Sequence, residues 1–133
     1  MAASAFLLLA SASAARVASL NLCSDEYLLL LGRPEQIVGV SYLSHDPLES
    51  TLWKAARQYK GNRGSIEHVL PLKPTMILTM GGGGRATALL AGRLHLKALD
   101  LPYVTDLAGV ARNLQLVAGA LGNPARAAPL IRR

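Results

Sequence analysis

The sequence predicts an α/β domain built on a mostly parallel sheet of about four strands, with helices on both faces. Three observations lead there. Short apolar runs alternate with helix-periodic segments along the chain, the pattern of a parallel sheet joined by helical crossovers. One of those runs, Met76-Ile77-Leu78-Thr79-Met80, is almost continuously apolar, which suits a strand covered on both faces. Gly81 to Gly84 follow it directly and lead into another helical pattern. Strand, glycine loop and helix in that order mark the place where open α/β sheets hold ligands.

The chain has 133 residues, so one domain is expected. A 51% hydrophobic content with 17% charge gives it enough apolar surface for a real core and argues against disorder. The net charge of +6 is uneven: residues 67–133 carry +5 and residues 1–66 carry +1. The basic residues are scattered and not interleaved with aromatics, which argues against a nucleic-acid surface. Cys23 is the single cysteine. It excludes an internal disulfide or a cysteine-based zinc site, and beside Leu22 it is expected in the core. Leu22 is also too large for the position before a lipidated cysteine.

In chain order, residues 1–15 resemble a secretory leader. Ala5 to Ala10 form a short apolar stretch, followed by small-residue cleavage sites around Ala12-Ser13-Ala14-Ala15, although no Lys or Arg precedes the stretch. Arg16 to Asn21 reads as the first strand. Ser24 is the expected cap of a helix through Leu31, with Asp25 and Glu26 in its first turn and Gly32 at its end. Ile37 to Val40 is a second strand, leading into the polar turn Ser41 to Pro47. Leu48 to Tyr59 reads as a helix and Lys60 to Gly64 as a loop. Ser65 is the expected cap of a short helix carrying Glu67 and stopped by Pro71 and Pro74. After the Met76 strand, Ala86 to Leu99 reads as a helix, Leu101 to Val104 as a fourth strand, and Leu107 to Leu121 as a helix broken by Gly122-Asn123-Pro124. Pro124 to Arg133 begins another helix.

The residue patterns give no positive sign of catalysis. His45, His68 and His95 lie far apart without metal-ligand spacing, and Ser19, Ser24 and Ser41 lack a nucleophile elbow. His45-Asp46, on an expected site loop, could touch a ligand or be a solvated turn. Gly81-x-Gly83-x-x-Ala86 fits the looser dinucleotide fingerprint, though on the third strand and not the first. A nucleotide- or dinucleotide-binding domain using Gly81 to Gly84 is therefore the alternative reading.

Three segments, RVASLNLCSDEYLLLL, EQIVGVSYLSHDP and GSIEHVLPLKPTMIL, together resemble the N-terminal lobe of the periplasmic solute-binding proteins of ABC importers for cobalamin and ferric siderophores. The resemblance covers roughly residues 16–133. It implies a Rossmann-like lobe of a two-lobed binding protein, with no catalysis and no cofactor, and a periplasmic location. By position it implies that Asn21, Leu22, Tyr42, Leu43, Gly82, Gly83 and Arg85 face a ligand cleft holding a corrinoid or a ferric-siderophore chelate. Glu67 matches the exposed glutamate with which such lobes dock on permease arginines. Stabilisation of a helix N-terminus, about 0.3–1 kcal/mol, accounts for it equally well.

Two residues depart from that family's pattern. Thr75 replaces an Asp after Lys-Pro, and Pro71 interrupts a helix that normally runs one more turn, at about 3 kcal/mol if that turn were helical. The resemblance divides the chain into a leader at 1–15, the lobe at 16–121, and residues 122–133 as the truncated start of an interlobe helix. A lone lobe is expected to bind ligand weakly or not at all, and the start of the interlobe helix could pair two copies into a homodimer.

Overall fold

The computed structural model describes residues 14–81 and 84–132. Five strands, β1 (Val17–Ser19), β2 (Ile37–Ser41), β3 (Lys60–Asn62), β4 (Met76–Met80) and β5 (Lys97–Leu101), form one sheet in the order β3-β2-β1-β4-β5. Every neighbouring pair is parallel. The helices are α1 (Leu22–Leu31), α2 (Trp53–Ala56), α3 (Ile66–Val69), α4 (Gly84–Arg93), α5 (Leu107–Ala120) and α6 (Ala127–Ile131). The chain winds outward from β1 in one direction through β2 and β3, then in the other through β4 and β5. The winding reverses between β1 and β4.

Two apolar cores lie on opposite faces of this sheet. One gathers Val17, Leu28, Leu31, Met76, Leu78, Met80, Leu114 and Val117 beneath α1 and α5. The other gathers Ala18, Leu20, Ile66, Val69, Ile77 and Ala91 beneath α3 and α4. Alternate residues of β4 thus enter different cores, as the two-residue repeat of a strand requires. This is why Met76 to Met80 reads as an unbroken apolar run. Fully burying a side chain such as Leu28 or Ile77 contributes about 1.5–3 kcal/mol.

The structure corrects several sequence expectations at the sheet's margins. The sheet has five strands, because Lys60 to Asn62 is an edge strand and not a loop. It pairs with β2 in the register Gly39 with Lys60 and Ser41 with Asn62. The strand expected at Leu101 to Val104 lies at Lys97–Leu101, and the preceding helix stops at Arg93. His95 adopts a left-handed conformation, φ 56°, while the N–H of Leu96 reaches back to Ala91 O at 2.8 Å. That closure normally uses glycine, so no stop signal marks it in the sequence. Between Leu48 and Tyr59 only Trp53–Ala56 is helical. Asp46 Oδ1 accepts the N–H of Leu48 at 2.8 Å and Ser50 Oγ that of Leu52 at 3.1 Å, local bonds that displace helix. Asn21, not Ser24, caps α1: its Oδ1 accepts the N–H of Ser24 at 2.9 Å.

The segment from Ser65 to Pro74 behaves largely as its prolines dictate. α3 makes four residues of helix and passes into a tighter turn, Leu70–Leu72, that contains Pro71. Ser65 occupies the cap position, but its hydroxyl pairs with His68 Nδ1 at 3.0 Å and bonds no backbone N–H. Lys73 is left-handed, φ 54°, and its carbonyl and that of Leu72 accept the Arg16 guanidinium at 3.1 and 2.7 Å. Thr75 accepts the N–H of Arg16 through Oγ1 at 2.8 Å, an acceptor role that a carboxylate there could equally fill. At the far end of the lobe, buried Gln36 donates to Leu121 O at 2.8 Å and accepts from Asn123 Nδ2 at 2.8 Å. This side chain fixes the break between α5 and α6 to the start of β2.

Candidate ligand-binding edge

Because all five strands run the same way, the loops at their carboxyl ends meet along one edge. The reversal of winding puts the end of β1 beside the end of β4 at its centre, the position at which open α/β sheets receive ligands. Asn21 leaves β1 there and Gly81 leaves β4. Asn21 is half-buried and committed to the fold: Nδ2 donates to Met80 O at 3.0 Å and Oδ1 caps α1. Leu22 is half-buried beside it. Gly81 is left-handed, φ 54°, and a Cβ there would land inside the ring of Tyr103. The glycine therefore does two things: it makes the turn and lets an aromatic ring lie against the backbone.

Tyr42 and Leu43 stand on the turn Tyr42–His45 that follows β2. Both are exposed, Tyr42 by 57%. Beneath them lies Asp25 of α1, which is fully buried. Its two carboxylate oxygens accept the N–H of Ser41 at 3.1 and 3.0 Å. Oδ2 also accepts Ser41 Oγ at 2.5 Å and the hydroxyl of Ser44. Burial pushes the Asp25 carboxyl up from its ordinary value, while the serine hydroxyls and the Ser41 N–H act against it. Beyond Tyr42, Asn62 ends β3 with Nδ2 donating to both Ser19 O and Val40 O at 2.9 Å. Exposed Arg63 follows it.

Three concavities open on this part of the surface. A polar one of about 630 Å³ is lined by Tyr42, Gly61, Asn62 and Arg63. A smaller one of about 290 Å³ lies over the reversal point, between Asn21, Gly64, Thr79, Thr87 and Tyr103. The third, about 530 Å³ and mainly apolar, lies between α1 and α5 and includes Cys23, Glu26, Tyr27 and Leu130. Tyr103 borders both of the last two.

Of the residues singled out in the sequence, Asn21, Leu22, Tyr42 and Leu43 come together along the edge, and Arg85 is exposed in the first turn of α4. Gly82 and Gly83 lie outside the described residues. Glu67 is exposed in α3, just after β3 leaves the same edge. Cys23 is exposed and not in the core, because the first turn of α1 projects past the end of β1 and turns its thiol towards the apolar hollow. His45 is half-buried against Gly61, where a Cβ would approach its Cε1 to 3.0 Å, while Asp46 is exposed. Among the described residues no cluster of His, Cys, Asp and Glu could hold a metal ion.

Sequence reasoning missed Arg63 and Tyr103. Arg63 was hidden by the unrecognised edge strand before it. The apolar run Leu101 to Val104 draws Tyr103 into an expected strand, although Pro102, which cannot donate to a ladder, signals that the strand has ended.

A family model described as periplasmic binding protein matches residues 17–133. No curated protein sequence matches the chain. Among solved structures, the periplasmic heme-binding protein RhuT from Roseiflexus sp. RS-1 superposes with a TM-score of 0.72 at 24% identity, over 90% of this chain and 46% of that one. A periplasmic heme-binding protein from Pseudomonas aeruginosa gives 0.70 at 22%, over 90% and 42%. The periplasmic vitamin B12-binding protein BtuF of Vibrio cholerae gives 0.66 at 24%, over 90% and 46%. At these identities the likeness is one of fold. The chain spans less than half the length of these solved relatives.

Proposed function

Because the chain belongs to the periplasmic binding protein family, whose members bind solutes and do not transform them, we propose that it supplies the N-terminal, ligand-facing lobe of a periplasmic receptor for an ABC importer. The ligand class is a large metal chelate: a corrinoid, a ferric siderophore or a heme-type tetrapyrrole. The observation that carries this is the family match combined with what the edge presents. Tyr103 borders the hollow over the reversal point between β1 and β4, Tyr42 and Arg63 line the polar hollow beside β3 on the same edge, and solved proteins of the same fold are named for heme and vitamin B12. Exposed aromatic rings supply faces for a flat macrocycle, and the exposed Arg63 guanidinium supplies an anchor for its carboxylate periphery.

In this reading Asn21, Leu22, Tyr42, Leu43, Gly82, Gly83 and Arg85 form one wall of the cleft, and Glu67 docks on permease arginines. Residues 1–15 act as an export leader, residues 16–121 are the lobe, and residues 122–133 begin the helix leading to a partner lobe or to a second copy. One wall covers only part of such a ligand, so weak binding or none is expected of this lobe by itself. Titration of the full chain with hemin, cyanocobalamin and a ferric hydroxamate, followed by absorption and calorimetry, tests the reading. Saturable binding of one of them, weakened several-fold by Tyr42→Ala or Arg63→Ala, supports it. Binding of none of them, together with a rise in melting temperature on adding NAD or ATP, overturns it.

A further inference from the structure

Asp25 is an ionisable group held where charge is expensive. It is fully buried, and among the described residues no cation lies within ion-pair distance of it. Hydrogen-bond donors compensate it: the N–H and hydroxyl of Ser41 and the hydroxyl of Ser44 bond it directly, and the Ser19 hydroxyl at the end of β1 also favours its charged form. A residue needed only to begin a helix would be cheaper on the surface, because a first-turn carboxylate gains its dipole energy while solvated. The donors also have a particular arrangement. Ser41 is the last residue of β2, and Ser44 lies three residues on, so the carboxylate grips both ends of the segment whose middle is Tyr42-Leu43. Those two are exposed while Ser41 and Ser44 are buried, so the turn is pinned at its feet and offers its centre outward. Asp25 adjoins the Asn21–Ser24 cap on α1, so the pose of the turn is referred to the end of β1 and thus to the reversal point itself.

We propose that Asp25 is a positioning residue that sets the pose of Tyr42 and Leu43 on the ligand-facing edge through Ser41 and Ser44. That the edge meets ligand rests on the reading above; the pose itself does not. No other described side chain is bonded to both ends of this turn. Its remaining side-chain tether is Arg57 Nε to His45 O at 3.0 Å, from an exposed residue of the following segment. Shape alone would be kept by asparagine, whose Oδ1 can accept the Ser41 N–H while its amide donates to either hydroxyl. Alanine would leave the Ser41 N–H and both hydroxyls without their buried partner.

The test is amide hydrogen exchange and NMR on the full chain, native and variant. In Asp25→Ala, protection of the Ser41 amide should fall roughly tenfold or more while Leu78 in β4 keeps its own, and the Tyr42 and Leu43 resonances should move or broaden. Asp25→Asn should restore protection to within about threefold of native. Unchanged Ser41 protection and Tyr42 signals in Asp25→Ala overturn the proposal. So does a loss spread evenly over β1, β2 and β4, which would make Asp25 only a general stabiliser. Should Asp25→Ala not fold, Ser44→Ala gives the same readout: displaced Tyr42 and Leu43 resonances support the proposal and unchanged ones overturn it. No ligand enters this measurement, so failure of the chelate reading shows only in titration and failure of the positioning role only in exchange.

Discussion

Asn21 Nδ2 donates to Met80 O at 3.0 Å while Oδ1 of the same side chain accepts the N–H of Ser24 at 2.9 Å. One amide therefore caps α1 and ties the ends of β1 and β4 together at the place where the winding reverses. Asn21→Asp keeps the acceptor and loses the donor, and Asn21→Ala loses both. Losing the cap alone costs about 1 kcal/mol, and an orphaned buried partner adds about 1 kcal/mol or more. Urea unfolding should therefore rank native above Asp and Asp above Ala, with about 2 kcal/mol between the extremes. Equal stability of Asp and Ala would show that the cap contributes nothing.

Gly81 and Tyr103 form a second testable pair. Gly81→Ala adds a methyl group where the Tyr103 ring lies and places a Cβ on a left-handed residue. The backbone penalty alone is about 1–2 kcal/mol, and displacing the ring adds to it. In a Tyr103→Ala background the steric part disappears. The double-mutant cycle should then show coupling of about 1 kcal/mol or more, and additive effects would separate the glycine from the ring.

Asp25 makes the stability of the lobe depend on pH in a definite direction. Burial raises its folded value above the ordinary 3.8, so the fold favours the neutral acid. The contribution is fully present below about 3.8 and is lost as pH rises through the raised folded value. Asp25→Asn removes that titration. The stability of Asp25→Asn relative to native, taken from urea midpoints between pH 3 and pH 7, should therefore rise with pH. A difference that is flat, or that falls with pH, contradicts this assignment.

What the sequence reveals here follows from where each signal is stored. The central strands β1, β2 and β4 are apolar because both faces are covered, so composition betrays them. β3 and β5 lie at the edges. Lys60, Lys97 and Asp100 suit a margin that must not pair with other chains; β3 has no large apolar residue, and the Leu99 and Leu101 of β5 also continue the helical pattern before them. The stop at His95 is invisible for another reason, since a left-handed histidine does a glycine's work. At the edge, the turn after β2 that carries Tyr42 and Leu43 could be read from its residues. Arg63 could not, because it takes its place from β3. The grip of Asp25 on Ser41 and Ser44 joins residues 16 and 19 positions apart, and periodicity in one strand or helix carries no information about that.

The central strand has a consequence for assembly in time. β1 is three residues long and is paired on both sides, Val17 opposite Ile37 and opposite Met76, and Arg16 bonds Thr75 across 59 positions of sequence. Its second neighbour emerges only after most of the chain has been made, and a strand flanked on one side leaves half its ladder open. The sheet cannot zip from its beginning. It must wait for a long loop to close, at an entropic cost that local helices do not meet. The encounter of β1 with β4 is therefore a long-range step that no local helix can replace, and it builds the same junction around which the candidate edge is arranged.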